Sequence, residues 1–381
     1  PVHDKVSAAG GVMGAYNGWE RANWFAHPGD NTSLDSTHTW EREGPWAVRI
    51  KQEAENVRDN CGVLDLPGFS RFNLIGTGAA EYLYGLITGG LPKIGRMNLA
   101  YFADTRGRIL TEMSVIRHGE EHFTLITAAS AQWHDFDVLN TGLPVGIVLT
   151  DHTTEFSTLI VTGPKSRNIL GAMGTDADLT CGWLSHQSAT VGGQSCALLR
   201  VSFAGELGWE IHAENAKIPV LYDAVIAAGA KPFGMYALNS LRIEKGYRAW
   251  KGDLSTDYSL LEGGLGRFVK LDKLQDFPGK AALQNEKQQG SKKMFVTLIV
   301  EAGPWDAPYM STIWHGGEVV GETTSGAFGH RIAKSIALGM VQSHLSVPGT
   351  EVEVEIFGQR CKAVVQEDKP LWDPGNERLR G

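Results

Sequence analysis

Two segments of the chain carry the same pattern, and this repetition is the strongest constraint on the fold. FNLIGTGAAEYLYGL (72–86) and TLIVTGPKSRNILGAM (158–173) each read as a strand, a glycine turn and an amphipathic helix. Each follows a stretch rich in β-forming residues, so a duplicated α+β unit is predicted. Neither turn has a G-x-G-x-x-G pattern or a following G-K-[ST], and both are interpreted as plain turns, not phosphate cradles.

The rest of the chain divides around this duplicated body. Residues 1–45 are predicted to form an irregular arm packed over a domain, residues 46–285 the body, and residues 286–381 a small β-barrel or sandwich. The aromatic residues expected to hold the arm are Trp19, Trp24, Phe25 and Trp40.

The carboxyl-terminal part reads as all-β. EVEVEIFGQRCKAVVQ (351–366) alternates apolar and charged residues, as expected of strands with one buried face, and HGGE (315–318) indicates a hairpin turn. The polar run 285–293, NEKQQGSKK, is interpreted as a linker that leads into this part.

Composition excludes several classes of function. The net charge of −8, without a basic cluster, makes nucleic acid and anionic membrane surfaces unlikely partners. No apolar run approaches the roughly 18 residues of a transmembrane helix. The histidines are scattered without metal-ligand spacing, so no metal site is predicted. Four widely separated cysteines indicate a reducing, cytoplasmic compartment. They are Cys61, Cys181, Cys196 and Cys361.

The segment RVSFAGELGWEIHAE (200–214) places Glu206 and Glu210 between glycines. Glycines let another group approach the backbone closely, and the turn would fix the Glu206 carboxylate. A carboxylate that accepts two hydrogen bonds suits the N–C–N–H edge of a pterin. A solvated turn glutamate is the alternative from spacing alone.

Two further segments carry candidate site residues. In ADTRGRILTEMSV (103–115), Glu112 interrupts an increasingly apolar stretch, which suggests either a buried working acid or a solvent-facing strand residue. In NSLRIEKGYRAWKGDL (239–254), Arg242 lies close to Tyr247 and Trp250, an arrangement that suits a flat anionic ligand. Surface charge pairs and a core tryptophan are the alternative there.

These segments resemble the recurring signatures of the glycine-cleavage T-protein (aminomethyltransferase) family. The likeness is greatest to the carboxyl-terminal half of dimethylglycine and sarcosine dehydrogenases and oxidases. GWERANWF near the start resembles the segment that joins the flavin and folate halves of those enzymes. RVSFAGELGWEI, ALNSLRIEKGYRAW, LEGGLGRFVKLDK and the closing PLWDPGNERLR follow in family order. The resemblance implies a three-part disc with a central hole for folate, completed by a β-barrel.

The resemblance also implies roles for individual residues. It implies that Glu206 binds the pterin and that Arg242 is one of the folate-contacting arginines, whereas Leu238 replaces the other. The catalytic aspartate of the family's N-x-x-G-G-x-x-x-D pattern is replaced by Glu112. Asp104 and Arg108 replace the asparagine and the second glycine of that pattern. Three interpretations follow: Glu112 does the same work, the substrate differs, or catalysis is lost while folate binding remains.

The expected chemistry is one-carbon transfer to tetrahydrofolate, with the flat ring bordered by Tyr101 and Trp250. An iminium derived from a methylated amine, or formaldehyde, would supply the carbon, and Glu112 with an ordinary pKa would accept the proton. No flavin is expected in this chain, so a separate oxidase or demethylase is the expected partner, besides the small methylated substrate. The alternatives are direct methyl transfer from a sulfonium, ammonium or aryl ether, and a non-catalytic folate-binding regulatory subunit.

Overall fold

The computed structural model describes residues 1–16, 18–33, 35 and 39–381. The first part of the predicted arm, up to Phe25, is regular where the sequence suggested irregular structure, because a short helix leads into an antiparallel hairpin. The described residues from 26 to 33 and from 39 to 43 contain no helix or strand, as predicted. Trp24 is fully buried in the core, whereas Trp40 is 69% exposed and does not anchor the arm there. Positions 17, 34 and 36–38 of the arm lie outside the described residues. Its elements are α1 (His3–Ala8), β1 (Gly11–Tyr16) and β2 (Trp19–Phe25).

The first α+β unit is a five-stranded antiparallel sheet in the order β5-β6-β7-β4-β8, packed against two helices. Its apolar face includes fully buried Phe72, Phe123 and Leu125. The strands are β4 (Phe69–Ile75), β5 (Arg96–Ala103), β6 (Ile109–Gly119), β7 (His122–Ala128) and β8 (Val148–Asp151), and the helices are α3 (Ala79–Leu86) and α4 (Gln132–Asn140).

The second unit is a six-stranded sheet in the order β10-β11-β12-β9-β3-β13, again covered by two helices. The short contact of β13 with β3 is parallel, and the other pairings are antiparallel. The strands are β3 (Gly62–Asp65), β9 (Phe156–Thr162), β10 (His186–Val191), β11 (Gln194–Leu199), β12 (Gly208–Glu214) and β13 (Lys231–Pro232), and the helices are α5 (Ser166–Met173) and α6 (Ile218–Ala227).

The predicted duplication is visible at the two glycine turns. Gly76 joins β4 to α3 with φ +135°, and Gly163 joins β9 to α5 with φ +129°. A Cβ atom would lie 2.1 Å from the Gly146 carbonyl oxygen at the first turn and 2.4 Å from the Asn60 carbonyl oxygen at the second. A side chain at either position would collide with a backbone carbonyl, so both positions require glycine. The two segments are therefore plain turns, as interpreted from the sequence.

The carboxyl-terminal strands close into a barrel in the order β14-β17-β16-β15-β18-β19. The alternation in the 351–366 segment is confirmed, because Val352, Val354 and Ile356 point into the barrel core. The strands are β14 (Lys293–Val300), β15 (Thr312–His315), β16 (Glu318–Gly329), β17 (Lys334–Gln342), β18 (Glu351–Ile356) and β19 (Gln359–Val365).

The polar run interpreted as a linker is mostly helical, which corrects that interpretation. Its first half lies in α8 (Lys280–Gln289), a surface helix that buries Leu283 alone. One buried residue gives no apolar periodicity, so the sequence signal was too weak to indicate a helix. Within the part of the chain that the structure describes, no helix has the length and apolar character needed to cross a bilayer.

Two further helices connect the arm, the second unit and the barrel: α2 (Gly44–Asp59) and α7 (Met235–Ile243). The buried carboxylate of Glu53 on α2 accepts the Phe25 backbone N–H at 2.7 Å and the Gly234 backbone N–H at 2.8 Å. Burial raises the pKa of the Glu53 carboxyl to about 8. One side chain thus ties the end of β2 to the start of α7.

Replacing Glu53 by Ala should lower the free energy of unfolding by about 2–4 kcal/mol, because two buried N–H groups lose their acceptor. Urea denaturation followed by circular dichroism measures the change. The exposed neighbour Lys51→Ala is the control and should stay within about 0.5 kcal/mol of wild type. If the two variants were equally stable, Glu53 would not be the link between the end of β2 and the start of α7.

Candidate functional site

The pairing of β5 with β6 places Tyr101 directly opposite Glu112. The Tyr101 side chain is almost fully buried and forms a side-chain hydrogen bond with the Glu112 carboxyl. Burial raises the pKa of Glu112 above its ordinary value, although the Tyr101 bond and the Arg248 charge act in the opposite direction. The expectation of an ordinary pKa is thus corrected. The Glu112 residue as a whole keeps partly exposed surface.

The loop after α7 brings Trp250 to the same region. Trp250 packs against the apolar cluster that contains Tyr101, and its indole N–H is buried with no acceptor among the residues that the structure describes. An unpaired buried donor is costly, and a bound ligand with an acceptor atom would satisfy it.

An aromatic pair connects this region with the Glu206 region. The rings of Phe203 and Tyr247 stack with centroids 5.9 Å apart and planes inclined by 20°. Burial raises the pKa of Tyr247 to about 12, with smaller effects from charges that include Arg267 and Arg331. Arg267 also acts on Tyr101, and Arg331 contacts Glu206. Phe203 lies three residues before Glu206, and Tyr247 lies three residues before Trp250, so the stacked pair joins the two segments that carry these site residues.

Glu206 is fully buried, so the alternative of a solvated turn glutamate is wrong. Its Oε1 accepts hydrogen bonds from Arg331 Nη1 and from the Trp372 indole N–H, both at 2.8 Å. Its Oε2 accepts Arg378 Nε at 2.8 Å. A carboxylate has about four acceptor positions, and donors from the described residues occupy three of them, two on Oε1 and one on Oε2.

Arg331 is the centre of this buried network. Besides Glu206, its guanidinium binds the Glu244 carboxylate, and Nη2 donates to the Leu241 carbonyl at 2.6 Å. Both carboxylate side chains and the guanidinium are fully buried. The network therefore joins the second unit, α7 and the barrel through one cation.

The segment 371–381, called the tail here, completes the network. Lys245 Nζ donates to Asn376 Oδ1 at 2.8 Å and to the Asp373 carbonyl at 3.0 Å. The stem of Lys245 passes over Gly205, where a Cβ atom would lie 2.3 Å from Lys245 Cγ. Position 205 requires glycine because its φ is +77° and a side chain would have no space, which explains the glycine of the F-A-G-E segment.

Arg242 is an internal brace in this structure. Its donors bind Asn239 Oδ1, the Tyr247 carbonyl, Asp253 Oδ2 and Ser325 Oγ at 2.7–2.9 Å. These bonds use four of its five N–H groups, and within the described part of the chain the second Nη2–H makes no hydrogen bond to a side chain or carbonyl. Its predicted role as a ligand stays a prediction.

Glu210 belongs to a different cluster, at the junction of the two sheets. His212 Nε2 lies 2.9 Å from Glu210 Oε2, and the other ring nitrogen of His212 bonds Arg71. The ring centroids of His118 and His186 lie 4.6 Å apart. Burial lowers the pKa of each imidazole to about 4. These two imidazoles are therefore neutral near pH 7. Among the described residues, no group of three or more metal-ligating side chains is arranged to hold a metal ion.

Sequence reasoning missed the roles of Arg331, Trp372, Arg378 and Arg248. The PLWDPGNERLR segment signals the tail, but its contact with Glu206 spans 166 and 172 residues and has no local pattern. Two surface pockets, of about 370 and 310 Å³, lie elsewhere, the first beside Tyr82 and the second beside Cys61.

Family models match most of the chain. Residues 2–273 match the GCVT N-terminal domain, and residues 293–373 match the glycine cleavage T-protein C-terminal barrel domain. The chain therefore belongs to the glycine-cleavage T-protein family, as its sequence motifs predicted.

Individual relatives agree with this membership. Mitochondrial dimethylglycine dehydrogenase of Mus musculus is 34% identical over 378 residues, which cover 97% of this chain and 43% of that protein. The chain thus spans less than half of that relative. Aminomethyltransferase of Symbiobacterium thermophilum is 30% identical over 344 residues, covering 85% of this chain and 91% of that protein.

A solved structure confirms the predicted fold. The glycine cleavage system aminomethyltransferase T of Bartonella henselae superposes with a TM-score of 0.86 at 22% identity, covering 98% of each chain. The α+β body and the closed barrel are therefore those of a T-protein.

Removing the central cation should destabilise the protein strongly. We expect Arg331→Met to lower the free energy of unfolding by about 3–5 kcal/mol, because two buried carboxylates lose their shared counter-charge. Urea titration provides the measurement. Lys369→Met, in the exposed pair Glu367–Lys369, should leave the stability close to that of the wild type, because water screens the pair. A similar small effect for Arg331→Met would show that the network is not the main tie between the parts.

Proposed function

We propose that this chain binds tetrahydrofolate between Glu112 and Glu206 and catalyses transfer of a one-carbon unit to it. The observation that carries the proposal is the buried Tyr101–Glu112 pair beside an aromatic-lined region. Membership of the T-protein family, which includes aminomethyltransferases, supports the same reaction class.

The residues present fit a pteridine in specific ways. Trp250 offers a buried N–H that no described residue accepts, and the Phe203–Tyr247 pair offers flat aromatic surface. Donors from the described residues leave one acceptor position on Glu206 Oε2. A two-pronged pterin edge would have to displace the Arg378 donor, whose side chain is 38% exposed.

Tetrahydrofolate, when bound, supplies a nucleophilic amine nitrogen that accepts the carbon. The protein supplies the proton chemistry. Glu112 in its ionised form stabilises positive charge on that nitrogen and takes the proton that it releases. Tyr101 holds the carboxyl in one orientation from the neighbouring strand. The surrounding apolar cluster limits water around the reacting carbon.

The proposed carbon source is an iminium derived from an N-methylated amine, or formaldehyde, and the folate product is 5,10-methylenetetrahydrofolate. The demethylated amine and a proton leave in the first case, and water leaves in the second. The name of the mouse relative, dimethylglycine dehydrogenase, supports a methylated amino acid as the origin of the carbon. A flavin-dependent oxidase or demethylase, as a separate protein or a preceding domain, would produce the iminium.

One observation favours a second candidate, a non-catalytic folate-binding or regulatory subunit. Arg242 and most of Glu206 are engaged internally, and Glu112 replaces the family aspartate. This candidate would be favoured if tetrahydrofolate bound saturably but no turnover occurred with any of the N-methyl amino acid oxidases tested in the coupled assay.

The catalytic role of Glu112 can be tested by Glu112→Gln. Tetrahydrofolate affinity, measured by calorimetry, should change by no more than about twofold, whereas turnover should fall by roughly 10²–10⁴ because the proton acceptor is lost. Turnover is the folate product formed with an N-methyl amino acid oxidase, after subtraction of the uncatalysed reaction. Glu120→Gln, at the exposed end of the same β-hairpin, is the control. Wild-type turnover in Glu112→Gln would refute the assignment.

The contact between the pterin and Glu206 can be tested at the tail. Arg378→Ala frees the second acceptor position on Oε2, so tetrahydrofolate should bind about three- to tenfold more tightly, a gain of about 0.7–1.4 kcal/mol. Arg380→Ala removes an exposed side chain of the same tail, whereas the tail arginine that donates to Glu206 is Arg378, so this control should leave the dissociation constant unchanged. Weaker binding by Arg378→Ala would mean that Arg378 itself holds the ligand.

A further inference from the structure

The backbone carbonyl of Glu112 points away from the strand that carries Tyr101. The Tyr101 carbonyl accepts the Thr88 backbone N–H at 2.9 Å on the far side of β5. In an antiparallel pair, the backbone groups of two facing residues either both point toward each other or both point outward. Because those of Tyr101 point outward, those of its partner Glu112 do as well. The Glu112 carbonyl therefore faces β7, the strand on the other side of β6.

The regular pairing between β6 and β7 ends before it reaches Glu112. The last pair on that side is Ser114 with Ile126. The hydroxyl of Thr127, the next residue of β7, lies 3.2 Å from the Glu112 carbonyl oxygen and is placed to donate to it. A side chain thus takes the place of a ladder hydrogen bond at the residue that is the proposed proton acceptor.

The Thr127 hydroxyl is held in turn by a buried carboxyl on α4. Asp135 Oδ2 lies 2.6 Å from Thr127 Oγ1, and His134 Nδ1 lies 2.8 Å from Asp135 Oδ1. The Asp135 residue is fully buried, whereas the His134 side chain is 48% exposed. Within the part of the chain that the structure describes, His134 is the one basic side chain within 4.0 Å of this carboxyl.

The hydrogens of these groups form a consistent chain. A hydroxyl has one hydrogen, so Thr127 donates fully to only one oxygen. When it donates to the Glu112 carbonyl, the contact with Asp135 Oδ2 uses the hydrogen of the protonated carboxyl, and His134 Nδ1 donates to Oδ1. Burial raises the pKa of the Asp135 carboxyl, although the Thr127 and His134 bonds act in the opposite direction. Burial therefore favours this arrangement.

The layer that contains Asp135 is otherwise apolar. Thr127 alternates with Phe123 and Leu125 on the face of β7 that packs on α4, and Leu139 lies one helical turn after Asp135. A carboxyl in such a layer loses its contact with water, and an apolar side chain would fill the space at lower cost. The presence of a carboxyl there indicates a role besides packing.

We propose that Thr127, held by Asp135, is a positioning residue that fixes the backbone from which the Glu112 side chain projects. Glu112 lies on the face of β6 opposite to Met113, whose side chain belongs to the cluster under α4. The pair thus acts on Glu112 from behind the sheet. The inference rests on the proposed function for its purpose, because displacement of a reacting group by about 1 Å can cost roughly a hundredfold in rate.

Turnover tests the positioning role. Thr127→Val removes the hydroxyl at similar volume, so kcat in the coupled oxidase assay should fall about ten- to a hundredfold. The KM for tetrahydrofolate should stay within about twofold, because Thr127 lies behind the sheet and contacts no ligand. Thr127→Ser returns the hydroxyl, and Asp135→Asn keeps a donor and an acceptor. Both variants should retain kcat within about threefold of wild type.

Thr124→Val is the matched control. Thr124 lies on the same strand and is 5% exposed, as Thr127 is, but its hydroxyl bonds His118 and Asn73. It should lose stability as Thr127→Val does, because each variant removes a buried hydroxyl from two partners, but its kcat should stay within about twofold of wild type. An equal fall of kcat in the two variants would reduce Thr127 to a packing role and overturn the proposal.

Backbone hydrogen exchange in folate-free protein, followed by NMR, tests the positioning separately from the chemistry. In Thr127→Val the amides of Glu112 and Met113 should exchange about tenfold faster or more, and in Thr124→Val they should change by less than about threefold. Unchanged exchange of both amides in folded Thr127→Val would overturn the proposal. Absence of folate binding by the wild type would overturn the proposed function alone, because the exchange measurement uses no folate.

Discussion

The architecture depends on one guanidinium buried between two carboxylates. Arg331 on the β16–β17 turn pairs with Glu206 from the second α+β unit and Glu244 at the end of α7. Transferring three charges from water into protein is expensive, and the network offsets this with close to a full set of hydrogen bonds. Because its members come from separate parts of the chain, the network exists only when those parts are correctly docked.

The same network sets the character of the candidate site. Trp372 lies between the guanidiniums of Arg331 and Arg378, whose central carbons are 5.3 and 5.4 Å from its ring. Glu206, the pterin anchor that the motif predicts, is therefore also part of the structural network. Glu112, the proposed proton acceptor, is bonded instead to Tyr101 on the neighbouring strand. The two predicted site carboxylates thus have different surroundings, since Glu206 accepts three hydrogen bonds from distant segments.

The sequence predicted the elements whose information is local. The duplicated strand–turn–helix pattern and the alternation in β18 specify their own conformations, because side-chain period and glycine placement act over a few residues. Glu112, Glu206 and Arg242 were found from family motifs. The partners of Glu206 were not, because Arg331, Trp372 and Arg378 reach it across long sequence separations. The surface helix α8 was missed for a different reason, since a single buried leucine leaves no periodic signal.

The position of Arg378 has a consequence for biosynthesis. It follows Glu206 by 172 residues, which at usual translation rates is a delay of roughly ten seconds or more. Until Arg331 and Arg378 have been synthesised, Glu206 in the newly made second unit lacks the cations that pair with it in the folded protein. Docking of the three parts must therefore be a late event on the ribosome or after release, and the early units are exposed to chaperones until the final strand and tail have emerged.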